Sequence, residues 1–406
     1  MSFRIFWISA LLIVSLSAAC RASEESTPLV LISLDGFRFD YIEKHDAKNI
    51  QAIAQQGVRA ERMQPSYPSK TFPNHITLVT GMYPSRHGLV HNSFYDPDLK
   101  DVYKMGKAKQ QPLWLQGTPI WIYAEKNNLR SATYFWPESD AKIDGLLPSY
   151  YFPYNKSTPY QDRIDEMIRW LKLPEEQRPR FVTGYFSLVD SKGHDFGPNS
   201  PQVKRSVKIV DEFIGQLKRR IDTELDMDVN LVLVSDHGMA KVDTRKKINW
   251  EVLKGTEGFK VINGSTQLML YAKEGVGNQD IVNTVNSLNQ QSRGKFEAFA
   301  KDQLPAKLHY QGNARIADII VETHPPFMFS DARHLRNKTN GMHGYDPYKF
   351  PEMGAIFIAN GPAFKQGLTI PSFENIHVFP LLATVLGIPI PQNIDGRVEV
   401  LEPILK

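Results

Sequence analysis

The residues best placed to do chemistry are Asp35 and Thr71. Asp35 closes the apolar run at 29–34, so its carboxylate stands at the end of a strand; Thr71, in the segment PSYPSKTFPNHITLVTG at 65–81, precedes an apparent helix. A metal-activated nucleophile needs such a pair, because a threonine hydroxyl is a poor nucleophile at neutral pH until a cation lowers its pKa. The rest of the chain must then supply ligands. Asp190 follows the apolar run GYFSLV and Asp236 follows NLVLVS, each with an imidazole nearby: His194 four residues beyond Asp190, His237 directly after Asp236. A spacing of four brings both groups to one ion if the backbone turns helically, and Gly193 eases that turn. Adjacent strand residues point to opposite faces, so Asp236 and His237 can share an ion only where the strand breaks; Gly238 supplies the break. His343, in TNGMHG at 339–344, stands before another apolar run and is the natural last ligand. A mixed oxygen and nitrogen set of this kind suits zinc. Taken singly, each acid reads as a helix cap or a turn former and each histidine as an exposed loop residue. Three strand ends carrying such groups together is what favours a site.

The elements that position these groups follow from the hydrophobic pattern. Continuous apolar runs at 29–34, 181–189, 229–234 and 355–359 read as strands buried on both faces. Between them, Ser200 and Pro201 open a helix in which Val203, Val207, Val210, Ile214, Leu217 and Ile221 recur at helical spacing; a second helix carries Ile164, Met167, Ile168 and Leu171. Alternating strands and helices predict an α/β fold, a doubly wound and mostly parallel sheet, whose sites lie beyond the carboxyl ends of its strands. From about 241 to 328 the texture changes to shorter strand-like pieces at 267–271 and 316–321 around a helix with Ile281, Val282, Val285 and Leu288. This reads as an inserted α+β cap. A last helix near 375–386 completes the main domain, taken as 28–400.

Residues 1–22 have the pattern of an export signal: Arg4, an apolar run at 5–16, then Ser17, Ala18, Ala19 and Ala22. The run is too short for a permanent anchor, which needs ~20 apolar residues. Cys20 is the only cysteine. It either leaves with the signal or carries a lipid anchor, and no intrachain disulfide can form. An exported protein of this size without disulfides points to a bacterial periplasm or cell envelope. The net charge of +4 comes without a polybasic block, which argues against nucleic acid or an anionic membrane as partner.

Asp35-Gly36, Lys70 to His75, Thr80-Gly81 with Pro84 and His87-Gly88, Asp190 with Gly193-His194, Asp236-His237-Gly238 and Gly341 to Gly344 together resemble the nucleotide pyrophosphatase/phosphodiesterase family of the alkaline phosphatase superfamily. The likeness runs from about 29 to 397. It implies a sheet of alkaline phosphatase type and two zinc ions, one held by Asp35, Asp236, His237 and the Thr71 oxygen, the other by Asp190, His194 and His343. It further implies that Thr71 is the nucleophile and forms a phospho-threonine, and that Asn92 contacts a non-bridging phosphoryl oxygen. The reaction implied is hydrolysis of phosphodiester or pyrophosphate bonds in nucleotides, giving nucleoside 5′-monophosphates. Phe72 either packs in the core or stacks on a nucleobase; the resemblance favours stacking, with Tyr154 opposite it and Tyr151 as the alternative.

Other polar residues read as support. His75, His87 and His91 are expected to be structural hydrogen-bonding groups, Asp195 to point away from the ion of Asp190, and His309, His324 and His334 to face solvent or substrate. Lys70 either raises the local potential or is solvated. Rival functions are a choline or lysophospholipid phosphodiesterase or a phosphomonoesterase on the same core, and, in a different class, an inactive secreted binding protein. A sulfatase is disfavoured, because no Ser/Cys-x-Pro-x-Arg surrounds Thr71.

Overall fold

The computed structural model describes residues 27–406; the export signal expected at 1–22, and Cys20 within it, lie outside the described residues. Alternation along the first strand sets the architecture. β1 (Leu29–Leu34) is buried throughout, with Leu29 and Leu31 in one apolar cluster and Val30, Ile32 and Leu34 in the other. Successive strand residues point to opposite faces, so a strand buried at every position is covered on both sides.

The other strands of this sheet are β2 (Val58–Ala60), β3 (Ser131–Tyr134), β4 (Tyr150–Phe152), β5 (Phe181–Phe186), β6 (Asn230–Val234), β7 (Phe357–Asn360) and β8 (Leu368–Ile370). They lie in the order β8-β2-β7-β6-β1-β5-β3-β4. β1 pairs in parallel with both β5 and β6, and only β7 runs against its neighbours. Among the helices that flank the sheet or carry site residues are α1 (Lys48–Gln55), α2 (Thr71–Thr80), α3 (Tyr160–Leu171), α4 (Leu188–Phe196), α5 (Pro201–Glu224) and α6 (Val378–Leu386). α1, α3 and α5 bury their apolar stripes on one face of the sheet, while α2 and α6 cover the other. At the start of α5 the Ser200 hydroxyl accepts from the Val203 N–H at 3.2 Å, and Pro201 follows at a position whose missing N–H costs nothing.

Two expected strands shift. The run 181–189 is not one strand: β5 stops at Phe186, Ser187 turns the chain, and α4 begins at Leu188. The piece expected at 316–321 is Ile319–Thr323, because its register is set by pairing Ile319 with Leu270 and Ile320 with Met269, while Ile316 packs into the main core instead. This strand belongs to a four-stranded antiparallel sheet in the order Phe259–Asn263, Gln267–Ala272, Ile319–Thr323, Phe296–Ala300. The helix Asn278–Gln291 covers one face, where Leu268, Leu270, Val285, Leu288, Ile319 and Val321 form their own apolar cluster. The other face sends Met269, Tyr271 and Ile320 into the main core. Among the described residues no helix is long and apolar enough to cross a membrane.

Candidate active site

The polar residues named above converge beyond the carboxyl ends of β1, β5 and β6. Asp35 follows β1, and Gly36 turns the chain with φ +68°; a Cβ there would lie 2.9 Å from the Asp190 backbone, so only glycine lets α4 approach β1 this closely. The approach is fixed by the Asp190 N–H donating to the Asp35 carbonyl at 3.1 Å and the Gly36 N–H donating to Asp236 Oδ1 at 3.1 Å. Because α4 is a helix, Asp190 and His194 share a face, and His194 Nε2 lies 3.4 Å from Asp190 Oδ1. Gly193 is there for packing and not for a turn. A Cβ on it would stand 2.8 Å from Met239, and one on Gly341 would stand 2.3 Å from the Gly193 carbonyl.

Thr71 is the first residue of α2, with Lys70 extended ahead of it, so its hydroxyl sits at a helix N-terminus where an anion is favoured. Its Oγ1 lies 3.2 Å from His237 Nε2. The Asn74 side chain braces the preceding loop, accepting from the Ser66 N–H at 2.8 Å and donating to the carbonyls of Lys70 and Pro68 at 2.9 and 3.0 Å. Asn92 Oδ1 accepts from the Phe72 N–H at 2.9 Å. That leaves the Asn92 amide NH₂ as the donor end toward the cavity it lines.

Three histidines have their tautomers set by the backbone. His237 Nδ1 bonds the Gly238 carbonyl at 2.8 Å, His343 Nδ1 that of Ser69 at 2.9 Å, and His194 Nδ1 that of Gly341 at 2.9 Å. A carbonyl only accepts, so Nδ1 carries the hydrogen and Nε2 presents a bare lone pair, the form in which histidine binds a metal. Burial holds His237 and His343 below the usual imidazole range, and neighbouring histidines add to the shift at His343. Against these lone pairs stand carboxylate oxygens. His237 Nε2 is 2.9 Å from Asp236 Oδ2 and 3.6 Å from Asp35 Oδ1, and His343 Nε2 is 3.7 Å from Asp190 Oδ1. Asp35 Oδ1, Asp190 Oδ1 and Asp236 Oδ2 are all buried without a hydrogen-bond donor. Burial, then repulsion among the three acids, drives the Asp35 and Asp236 carboxyls up. Crowded acceptors without donors are what a cation corrects, and the donor set fits divalent metal.

The compact groups of ligand atoms are Asp35, Asp236 and His237, and Asp190, His237 and His343. His237 therefore reaches both, whereas His194, with a side chain 30% exposed, stands at the rim beside Asp190.

Around this floor lies a cavity of about 670 Å³ whose wall includes Phe72, Phe135, Trp136, Phe152, Tyr154 and Tyr185. Phe72 packs against the main core and also lines the cavity. Tyr154 lines the same cavity and is 52% exposed, with its ring centroid 5.4 Å from that of Phe135; Tyr151 does not line the cavity. A larger groove of about 1070 Å³ lies at the opposite, amino end of the central strands, lined by groups such as Arg178, Asp222 and Asp228, and holds none of these residues.

The supporting residues are also placed. His75 bonds Ser33 Oγ at 2.7 Å and the Thr71 carbonyl at 2.8 Å, His87 bonds Thr77 and the Pro73 carbonyl, and His91 reaches Gln267 at 3.4 Å; burial pushes all three imidazoles down to about 3. Asp195 is exposed and 3.9 Å from Lys192. His309 stacks on Tyr83, His324 bonds two backbone carbonyls, and His334 pairs with Asp331, all away from the cavity. Lys70 is not solvated: it is 4% exposed, its Nζ donates to the His343 carbonyl at 3.1 Å, and burial pushes it down to about 7. Tyr185, which sequence reasoning missed, gives its hydroxyl to Asp35 Oδ2 in a short hydrogen bond. The available signal was a tyrosine inside an otherwise apolar strand, directly across from Ser33.

A mostly parallel sheet covered on both faces, with acids and imidazoles from three strand ends gathered about a helix-terminal hydroxyl, defines an α/β protein of alkaline phosphatase type with candidate metal-ligating groups. The chain belongs to the type I phosphodiesterase / nucleotide pyrophosphatase family, whose model matches residues 29–346. It is 37% identical over 391 residues to ectonucleotide pyrophosphatase/phosphodiesterase family member 1 of Rattus norvegicus, covering 92% of this chain and 42% of that protein. It is 35% identical over 402 residues to venom phosphodiesterase of Macrovipera lebetinus, covering 95% and 46%. The chain thus spans less than half the length of these relatives. Among solved structures, murine ectonucleotide pyrophosphatase/phosphodiesterase 5, an inactive variant in complex with AMP, superposes with a TM-score of 0.85 at 28% identity, covering 94% of this chain and all of that one.

Proposed function

We propose that the protein is a zinc-dependent phosphodiesterase that cleaves phosphodiester or pyrophosphate bonds of nucleotides and releases nucleoside 5′-monophosphates through a phospho-threonine at Thr71. The observation that carries this reading is the set of three histidines with Nδ1 tied to carbonyls and Nε2 facing donorless carboxylate oxygens, gathered beside the Thr71 hydroxyl. Asp35, Asp236, His237 and Thr71 would hold one ion; Asp190, His194 and His343 a second. Bound zinc supplies Lewis-acid polarisation of phosphoryl oxygens and a lowered pKa for an adjacent hydroxyl or water.

The chain's own residues then divide the work. Thr71 Oγ attacks phosphorus and the bond to the leaving oxygen breaks; water later displaces Thr71 and restores its hydroxyl. The N-terminus of α2 favours the phosphoryl charge, and Asn92 donates to a non-bridging oxygen. Phe72 and Tyr154 grip a planar base and leave its identity loosely read. The names of the relatives and the AMP complex of the murine neighbour support a nucleotide substrate. We further read 1–22 as an export signal and 241–328 as an inserted cap, the latter supported by its separate apolar cluster.

Comparing hydrolysis of bis(4-nitrophenyl) phosphate and 4-nitrophenyl phosphate, with and without a chelator, tests the reading. Diester preference that disappears on chelation and returns with zinc is expected; preference for the monoester overturns it.

A further inference from the structure

Two segments far apart in sequence are zipped together beside the site. Ala240 lies opposite Met342 and Lys241 opposite Gly341 in an antiparallel pair. The Val242 N–H donates to the Asn340 carbonyl at 3.1 Å, Thr244 Oγ1 to the Thr339 carbonyl at 3.0 Å, and Lys247 Nζ to the carbonyls of Asn337 and His334 at 2.7 and 3.0 Å. The zipper sets Lys241, Arg245, Lys246 and Lys247 alongside Arg333, Arg336 and Lys338 in one basic strip. Within it Asp243 pairs with Arg245 at 2.9 Å and Asp331 with Arg333 at 3.5 Å, and Glu251 borders it, its Oε2 accepting from the Ala332 N–H at 2.8 Å. Lys246 lies over the Phe327 ring. Lys241, Arg336 and Lys338 are exposed and make no ion pair among the described residues.

One end of the strip is anchored on the site. The Gly341 carbonyl accepts from His194 Nδ1, the Asn340 N–H donates to the His194 carbonyl at 2.9 Å, and His343 follows two residues later. Thr71 lies on the His237 side of the floor, with Asp190, His194 and His343 beyond. In an in-line displacement the leaving oxygen departs opposite the attacking one, so it leaves toward Asp190, His194 and His343, where the strip begins.

We propose that Lys241, Arg336 and Lys338 form a subsite for leaving groups that carry further phosphates, receiving a di- or polyphosphate tail while the nucleoside sits against the aromatic wall. Unpaired cations beside a cleft concentrate an anionic ligand, and guanidinium and ammonium groups match phosphate oxygens. The proposal rests on the phosphodiesterase reading above.

The test compares ATP, whose leaving group is diphosphate, with thymidine 5′-monophosphate 4-nitrophenyl ester, whose leaving group has no phosphate. In the triple variant Lys241→Glu/Arg336→Glu/Lys338→Glu the ratio of kcat/KM for ATP to that for the ester should fall about tenfold. Inorganic tripolyphosphate should inhibit ester hydrolysis by the native enzyme and do so more weakly in the variant. Neutralising all three to glutamine should give an intermediate ratio at an unchanged melting temperature, which separates lost charge from lost structure. A ratio that stays within twofold, or equal losses on both substrates, overturns the subsite and leaves the phosphodiesterase reading intact. A native enzyme inactive on both substrates overturns that reading and the subsite with it.

Discussion

The floor of the cavity and its aromatic wall are built on opposite terms. On the floor, Asp35, Asp236, His237 and His343 are each nearly inaccessible to solvent, and every histidine there has one nitrogen fixed by a backbone carbonyl. The wall is half open: Phe72 is part-buried, and Phe152 and Tyr154 are exposed. Groups held from several sides can place charge to within fractions of an ångström, whereas an exposed ring can only offer a surface. On the proposed function, the floor therefore sets the chemical step and the wall offers the surface at which substrate preference is adjusted.

Changes to the floor should therefore act on turnover, and changes to the wall on affinity. The largest effect is expected from Thr71→Ala, which should lower kcat for bis(4-nitrophenyl) phosphate by ~10³ or more while zinc content, measured by elemental analysis, stays above one equivalent. Loss of less than tenfold would mean that Thr71 is not the nucleophile.

Next is acid lability beneath the floor. His87 and His91 have folded-state values depressed to about 3 by burial. In the unfolded chain they take up protons below about 6.5, so the stability they contribute is complete above that pH and is lost as pH falls toward 3. The pair should cost roughly 3 kcal/mol per pH unit between 6 and 4, read as a steep fall in denaturation midpoint; His87→Asn should flatten the slope whatever it does to the level.

Tyr185→Phe removes the hydroxyl that bonds Asp35 and should weaken zinc affinity or activity by about 10- to 100-fold with little change in KM. Equal loss in kcat and rise in KM would place Tyr185 on the wall instead. The smallest effect belongs to Tyr154→Ala, which should raise KM for a nucleotide by about fivefold, worth ~1 kcal/mol of stacking, and leave kcat near the native value. A matching change from Tyr151→Ala would contradict the cavity geometry.

The same contrast explains what could be read from the chain. β1, β5 and β6 announce themselves as apolar runs because a strand covered on both faces is mostly apolar and carries no charge, and a charged residue at its end is then conspicuous. Asp35, Asp190 and Asp236 were found in that way. Tyr185 was not, since a tyrosine inside such a run looks like packing, and its role appears only when β5 lies beside β1. Glu138 and Trp136 in the cavity wall gave no signal either, because the wall is made by loops whose course depends on what they pack against. The basic strip was invisible for a related reason: neither half is polybasic by itself, and only the pairing of Lys241 with Gly341 brings the two together. For Lys70 the sequence left raised potential and solvation both open, because burial of a lysine leaves no mark in the residues around it; the structure removes the second.

The small sheet over the main core has no idle face. One side meets its own helix, the other supplies Met269, Tyr271 and Ile320 to the interior of the neighbouring sheet, and Gln267 Nε2 donates to the Gly344 carbonyl next to His343. Such a piece cannot swing as a hinged cover, and it cannot be exchanged between relatives like a detachable module. Deleting it would strip the main interior and release His343 in one cut. Variation in this part of the fold is therefore expected to come as altered rims and turns, with the sheet itself kept.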